Sequence, residues 1–212
     1  MLLLLLALFF FWLVLRDVRS KHPLSEDAVT FNRIYRLILI SLGLLCLWFP
    51  FEQWRFNQFL TEKATLLGEG EAINIHCDSA IDAIFEDGVG RAGTAYIEAR
   101  QIIFHYSWCE NLKNYLNDPG GLLSRREKFS LHVFTHEVMH IRGELDEQKT
   151  DCQAVQRDYQ AALLLGVPES LAQDIAVDFY RNQYPKHPYY SSLCYPGGPL
   201  DEGLSDSTWQ FL

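Results

Sequence analysis

After Met1 the chain runs through fourteen uncharged apolar residues, Leu2 to Leu15, with no polar position among them. As an α-helix this run spans about 22 Å, against roughly 30 Å of bilayer hydrocarbon. A second apolar run, Ile34 to Phe51, is interrupted only by Arg36 near its start and shows no polar face. That pattern reads as a membrane-spanning helix rather than one side of a soluble core, with Trp48 and Trp54 suited to the interface. Between the runs lie Arg16, Arg19, Lys21, Arg33 and Arg36 against Asp17, Glu26 and Asp27. The positive-inside rule places this loop in the cytoplasm and the chain after about residue 52 outside. The first run lacks a basic leader and a small-residue cleavage site, so the expectation is two transmembrane helices rather than a removed signal peptide.

Beyond residue 52 the periodicity changes. Gln53 to Leu67 is amphipathic at helical spacing, with Trp54, Phe56, Phe59, Leu60 and Leu67, and Gly68-Glu69-Gly70 breaks it. Ala72 to Cys77 alternates as a strand, and Asp78 can cap a short helix reaching Phe85. A turn-rich loop follows over 86–93. Thr94 to Ile97 and Gln101 to Tyr106 read as a hairpin, and Trp108 to Leu116 as a helix. Ser124 and Glu127 form a capping box that opens a further helix. Another starts near Asp146 and ends at Leu165, before Gly166-Val167-Pro168, and a last one covers 169–184. The tail from Pro185 has no helical period, and its tyrosines and Cys194 favour packing on the domain. The predicted class is α+β, mainly helical. Residues 1–52 form a membrane anchor, and 53–212 one extracytoplasmic domain with a short β-hairpin or sheet beside the helix opened by Ser124.

That helix carries the chemistry. Residues 136–140 read His-Glu-Val-Met-His. Positions i and i+4 share a helix face, so His136 and His140 can aim two imidazoles at one tetrahedral Zn²⁺. Glu137 can then take a proton from a water on the metal. Phe129, Val133, Phe134, Val138, Met139 and Ile141 interleave with these residues and predict burial, and buried polar groups need partners. A catalytic zinc also needs a third protein ligand and one open position. Glu144, Glu147 and Asp151 are the acids in range; Gly143 suits the turn between the helices.

Glu147-x-x-x-Asp151 after H-E-x-x-H resembles the gluzincin class of metallopeptidases. The resemblance makes Glu147 the third ligand and Asp151 the acceptor that orients a ligating histidine. The wider run Thr135 to Gln156 is similar to a largely uncharacterised bacterial family of zinc metallopeptidases. So is the end of the chain, where Tyr189-Tyr190-Ser191-Ser192-Leu193-Cys194 leads to Gly197-Gly198-Pro199-Leu200-Asp201. It implies a zincin-like domain whose edge strand binds peptide by strand addition, and a tyrosine in the tail that stabilises an oxyanion. Tyr189, Tyr190 and His187 are the candidates, Tyr189 foremost. His132, one turn before His136, reads as a satisfied helix histidine. His76 and His105 receive no role, and Arg142 reads as a surface ion-pair partner, with Glu144 in reach.

Cysteine usage agrees with an oxidising compartment. Cys46 lies in the second apolar run, while Cys77, Cys109, Cys152 and Cys194 all fall after it. Four cysteines allow three pairings, and neighbourhood along the chain favours Cys77 with Cys109 and Cys152 with Cys194. After residue 52 there are 13 Lys and Arg against 23 Asp and Glu, a net charge of −10. That argues against nucleic acid as a partner and leaves membrane lipid and a peptide or protein substrate. The expected function is a membrane-anchored zinc metallopeptidase. The alternative is a non-catalytic zinc-binding or disulfide-stabilised envelope protein that binds or scaffolds others.

Overall fold

The computed structural model describes residues 2–19, 26–80, 82 and 92–212, with the side chains of 26–31 excepted. The helix expected from Asp78 to Phe85, the loop 86–93 and Lys21 of the basic loop fall largely or wholly outside the described residues. The chain divides into two compact units, Met1–Phe56 and Asn57–Leu212.

In the first unit α1 (Leu2–Arg19) and the start of α2 (Glu26–Leu67) are joined by an ion pair between Asp17 and Arg36. Among the described residues one helical stretch, Asn32–Leu67 of α2, is long and apolar enough to cross a membrane. The expected pair of spanning helices is therefore corrected to one. The apolar part of α1 stops at Leu15, and Arg16, Asp17 and Arg19 fill its last turns. The two helices expected over 34–51 and 53–67 are also one element. Pro50 lies inside α2 without ending it.

The second unit is α+β and mainly helical. Strands β1 (Asn74–Cys77), β2 (Gly93–Tyr96) and β3 (Gln101–Phe104) form one sheet in the order β1-β3-β2, parallel between β1 and β3 and antiparallel between β2 and β3. The outer edge of β1 is sealed by the end of α2. The backbone N–H groups of Ile73, Ile75 and Cys77 donate to Thr65 Oγ1, Thr61 Oγ1 and Asn57 Oδ1, at 3.2, 2.9 and 3.3 Å. The match works because four helical residues rise about 6 Å and two strand residues about 6.6 Å. No strand pairs with the outer edge of β2 among the described residues.

Helices α3 (Tyr106–Asn117), α4 (Arg125–Ile141), α5 (Glu147–Leu164) and α6 (Glu169–Asp178) follow. The capping box at α4 is formed: Ser124 Oγ accepts from Glu127 N–H, and Glu127 Oε2 accepts from Ser124 N–H at 2.7 Å. The helix expected over 169–184 ends at Asp178 and continues as a wider turn over Phe179–Gln183 and a tight one over Tyr184–Lys186. Pro185 has no N–H to extend an α-helix.

Helix α4 packs on α3, on α5 and on the sheet, while α5 packs on α6 and the C-terminal turn Thr208–Phe211. Under α5 the core is Cys152, Val155, Phe179, Tyr184, Cys194 and Trp209. Disulfides join Cys77 to Cys109, and Cys152 to Cys194. The second fastens the tail to α5, as do hydrogen bonds from Gln156 Nε2 to Leu200 O and from Glu202 N–H to Gln156 Oε1, and the Arg157–Glu202 ion pair.

Candidate metal centre

Helices α4 and α5 meet across a tight turn. Gly143, at φ +101°, takes a conformation that costs a side-chain-bearing residue about 1 kcal/mol or more. Asp146 caps α5 by accepting from Lys149 N–H at 3.0 Å. The turn sets the last two turns of α4 against the first two of α5, so His136 and His140 face Glu147 and Asp151.

His136 Nε2 lies 3.1 Å and His140 Nε2 3.4 Å from the same oxygen, Glu147 Oε2. The opposite ring nitrogens are committed elsewhere. His140 Nδ1 is 2.8 Å from the backbone oxygen of Glu144, which can only accept, so that nitrogen carries the proton. His136 Nδ1 is 3.1 Å from Asp151 Oδ1 and donates to it. In the neutral rings both Nε2 atoms therefore present lone pairs to a carboxylate oxygen. Three acceptors facing one point repel unless a proton or a cation lies among them. The donor atoms lie within 4.8 Å of one another, and imidazole, imidazole and carboxylate are a donor set suited to Zn²⁺. The residues present fit the metal.

Glu144, a rival third ligand on sequence, is in neither cluster of donor atoms. Its Oε1 accepts from the N–H groups of Leu145 and Asp146 at 3.0 and 2.9 Å and shapes the turn. Asp151, the other rival, is fully buried one layer behind Glu147. Its Oδ1 accepts from His132 Nε2 at 2.9 Å as well as from His136, and its Oδ2 from His187 Nδ1 at 2.7 Å. Burial would raise its pKa, but the charge of His132 and the three histidine hydrogen bonds outweigh it and hold the carboxyl far below its usual range.

Glu137 sits beside this pair, buried, with a hydrogen bond from the backbone of Ala95 in β2. Burial raises its pKa, partly offset by His136 and His140. Gly93 lets β2 come this close. A Cβ there would lie 2.9 Å from the Phe104 ring and 3.2 Å from Glu137 Cγ. The histidines, Glu137 and Glu147 open into a cleft of about 660 Å³ walled by Ala92, Gly93–Ala95 of β2, Trp108, Phe129, Val133, Leu145 and the tail residues His187, Pro188 and Tyr189.

Of the three tail candidates, two reach the cleft. The Tyr189 ring stacks on His136, with centroids 5.8 Å apart and planes at 18°. Burial, then the carboxylates of Glu147, Asp151 and Glu137, raise its pKa, so it stays a hydroxyl donor. His187 hangs from Asp151. Tyr190 packs edge-on against Tyr184 instead, at 5.2 Å, and does not line the cleft. Arg142 pairs with Glu69 rather than Glu144, because Glu144 is spent on its own turn. His105 lies 3.3 Å from Asp78 and His76 is exposed on β1; neither lines the cleft.

The satisfied helix histidine expected at 132 is found, but its partners were not named in the sequence, and Asp158 had no expected role. His132 is buried between Asp151 and Asp158, with Nδ1 2.9 Å from Asp158 Oδ2. The available signal was periodicity: 132, 136 and 140 share one face of α4, and 147, 151 and 158 one face of α5. No family model, curated protein or solved structure matches the chain.

Proposed function

We propose that the protein is a membrane-anchored zinc metallopeptidase whose catalytic domain lies outside the cytoplasm. The observation that carries this reading is the convergence of His136 Nε2, His140 Nε2 and Glu147 Oε2, with both far ring nitrogens already donating. His136, His140 and Glu147 would hold the ion, leaving a fourth position toward the cleft. Bound zinc supplies Lewis acidity, lowering the pKa of a coordinated water to about 7 and polarising a substrate carbonyl.

The chain's own residues do the rest. Glu137, at the foot of the cleft, accepts a proton from the attacking water and returns it to the leaving amine. The Tyr189 hydroxyl donates toward the oxyanion. The open edge of β2 offers backbone groups to an extended peptide, the mode known as strand addition, and the apolar wall of Trp108, Phe129 and Val133 takes a side chain. An extended polypeptide fits this arrangement better than a compact one. The apolar stretch of α2 supports attachment to lipid, and the two disulfides support an oxidising location.

The test is metal analysis and peptide-library hydrolysis by the full chain, wild type against Glu137→Gln. Wild type should carry one zinc and cleave. The variant should keep the zinc and lose about 10²–10⁴ in turnover. Zinc without cleavage in both points to the non-catalytic zinc protein, and no zinc in either points to a disulfide-stabilised scaffold.

A further inference from the structure

Behind the proposed ligands lies a second group of donors, His132, His136 and Asp151, close enough in space to hold a cation of its own. Its bonding argues otherwise. Both ring nitrogens of His132 already face carboxylate oxygens at 2.9 Å, Nε2 on Asp151 and Nδ1 on Asp158, so neither is free for a metal. The ring is buried and stacked on Phe179 at 4.1 Å.

The arrangement calls for a reason. Burying ions costs several kcal/mol each, and a buried ion pair is often no more stable than apolar residues of the same volume. Phe at 132 with an apolar residue at 158 would fill this space. Asp158 gains little else from its charge, since its other oxygen is buried with no hydrogen-bond partner among the described residues. What apolar residues could not do is hold Asp151. That carboxylate is the common acceptor for His136, on the ligand face, and His187, in the cleft wall. His132 is the one of its three donors that neither lines up with Glu147 nor hangs from the tail, and it is pinned at its far end.

We propose that His132 is a positioning residue: clamped by Asp158, it fixes Asp151, and through Asp151 sets the ring orientations of His136 and His187 together. This rests on the zinc reading for its effect on metal affinity, though not for its effect on the two rings. A change at His132 is then felt at the metal ligand and at the cleft wall at once.

The experiment uses full-length protein in detergent and the double variant His132→Phe/Asp158→Val, which removes the charges in balance and keeps the ring stacked on Phe179. Two readouts are taken. In metal-free protein with ¹⁵N-labelled histidine, the Nδ1 resonances of His136 and His187, which report their hydrogen bonds to Asp151, should both move. By competition with a zinc chelator, affinity should fall about 10–100-fold, the range for residues that orient a ligand, while the melting temperature stays near that of the wild type. Unmoved resonances, or zinc affinity within twofold of the wild type, would overturn the proposal. So would a double variant that cannot fold, which would make the network purely structural. A wild type that binds no zinc but whose two histidine resonances move together in the variant removes the zinc reading and leaves the positioning role standing.

Discussion

Two histidine–carboxylate clusters lie one layer apart between α4 and α5 and share His136, yet their acids are in opposite situations. Asp151 is fully buried and accepts from three histidines. Glu147 has a side chain 46% exposed and faces two nitrogens that have no proton to give when neutral. At Asp151 the inner cluster has a histidine donor for each oxygen, as a scaffold requires. The outer one has unmet acceptors pointing at a common centre, as a cation site would. Proximity alone does not separate them. What separates them is whether the protons present suffice for the acceptors present.

The strongest way to break this contrast is to remove each acid in turn. Asp151→Ala opens a cavity, leaves the buried His132 with Asp158 alone and takes the acceptor from His136 and His187; it should cost about 3–5 kcal/mol, read as a large drop in the thermal midpoint of the metal-free protein. If the drop is small, the inner cluster is not scaffold.

A smaller effect follows from pH. Burial opposes the charged form of His132, but Asp158 and Asp151 outweigh it and push the pKa up to about 10 from the usual 6.5. A raised folded-state pKa contributes stability that is complete below the ordinary value and lost as pH rises through the raised one. Midpoints of metal-free protein should therefore fall between about pH 6.5 and 10. The His132→Phe/Asp158→Val variant should flatten that fall, and an equally steep variant would remove His132 as its source.

The smallest expected effect is at Glu147. Glu147→Ala should change metal-free stability by no more than about 0.5 kcal/mol, since its side chain is half exposed and the two neutral imidazoles facing it give it no proton, while abolishing zinc retention on gel filtration. A variant that holds zinc as tightly as the wild type would assign the third donor elsewhere.

Much of this was written along the chain. The capping box at Ser124, the spacing of His136 and His140, the break at Gly143 and the start of α5 are local events, set by turns and caps within a few residues. The hairpin of β2 and β3 and the irregular tail are local in the same sense. Pattern misjudged the anchor, because a run of leucines reads as a span whether or not charges in its last turns cut it short, and because the change from an all-apolar to an amphipathic pattern after Phe51 reads as a boundary between helices.

Other features depended on residues distant in sequence. Nothing near Thr61 or Asn57 says that their side chains seal a strand fourteen or twenty residues on. Nothing near His187 says that it hangs from Asp151. The role of Glu144, whose backbone rather than its acid fixes His140, is equally invisible to residue type. By itself the sequence determined which groups can bind a metal and which faces of α4 and α5 carry them, since those follow from helical geometry and side-chain chemistry. Only the tertiary structure decided which nitrogens keep their lone pairs, because that depends on where the opposite ring nitrogen finds an acceptor, and those acceptors come from other turns of the chain.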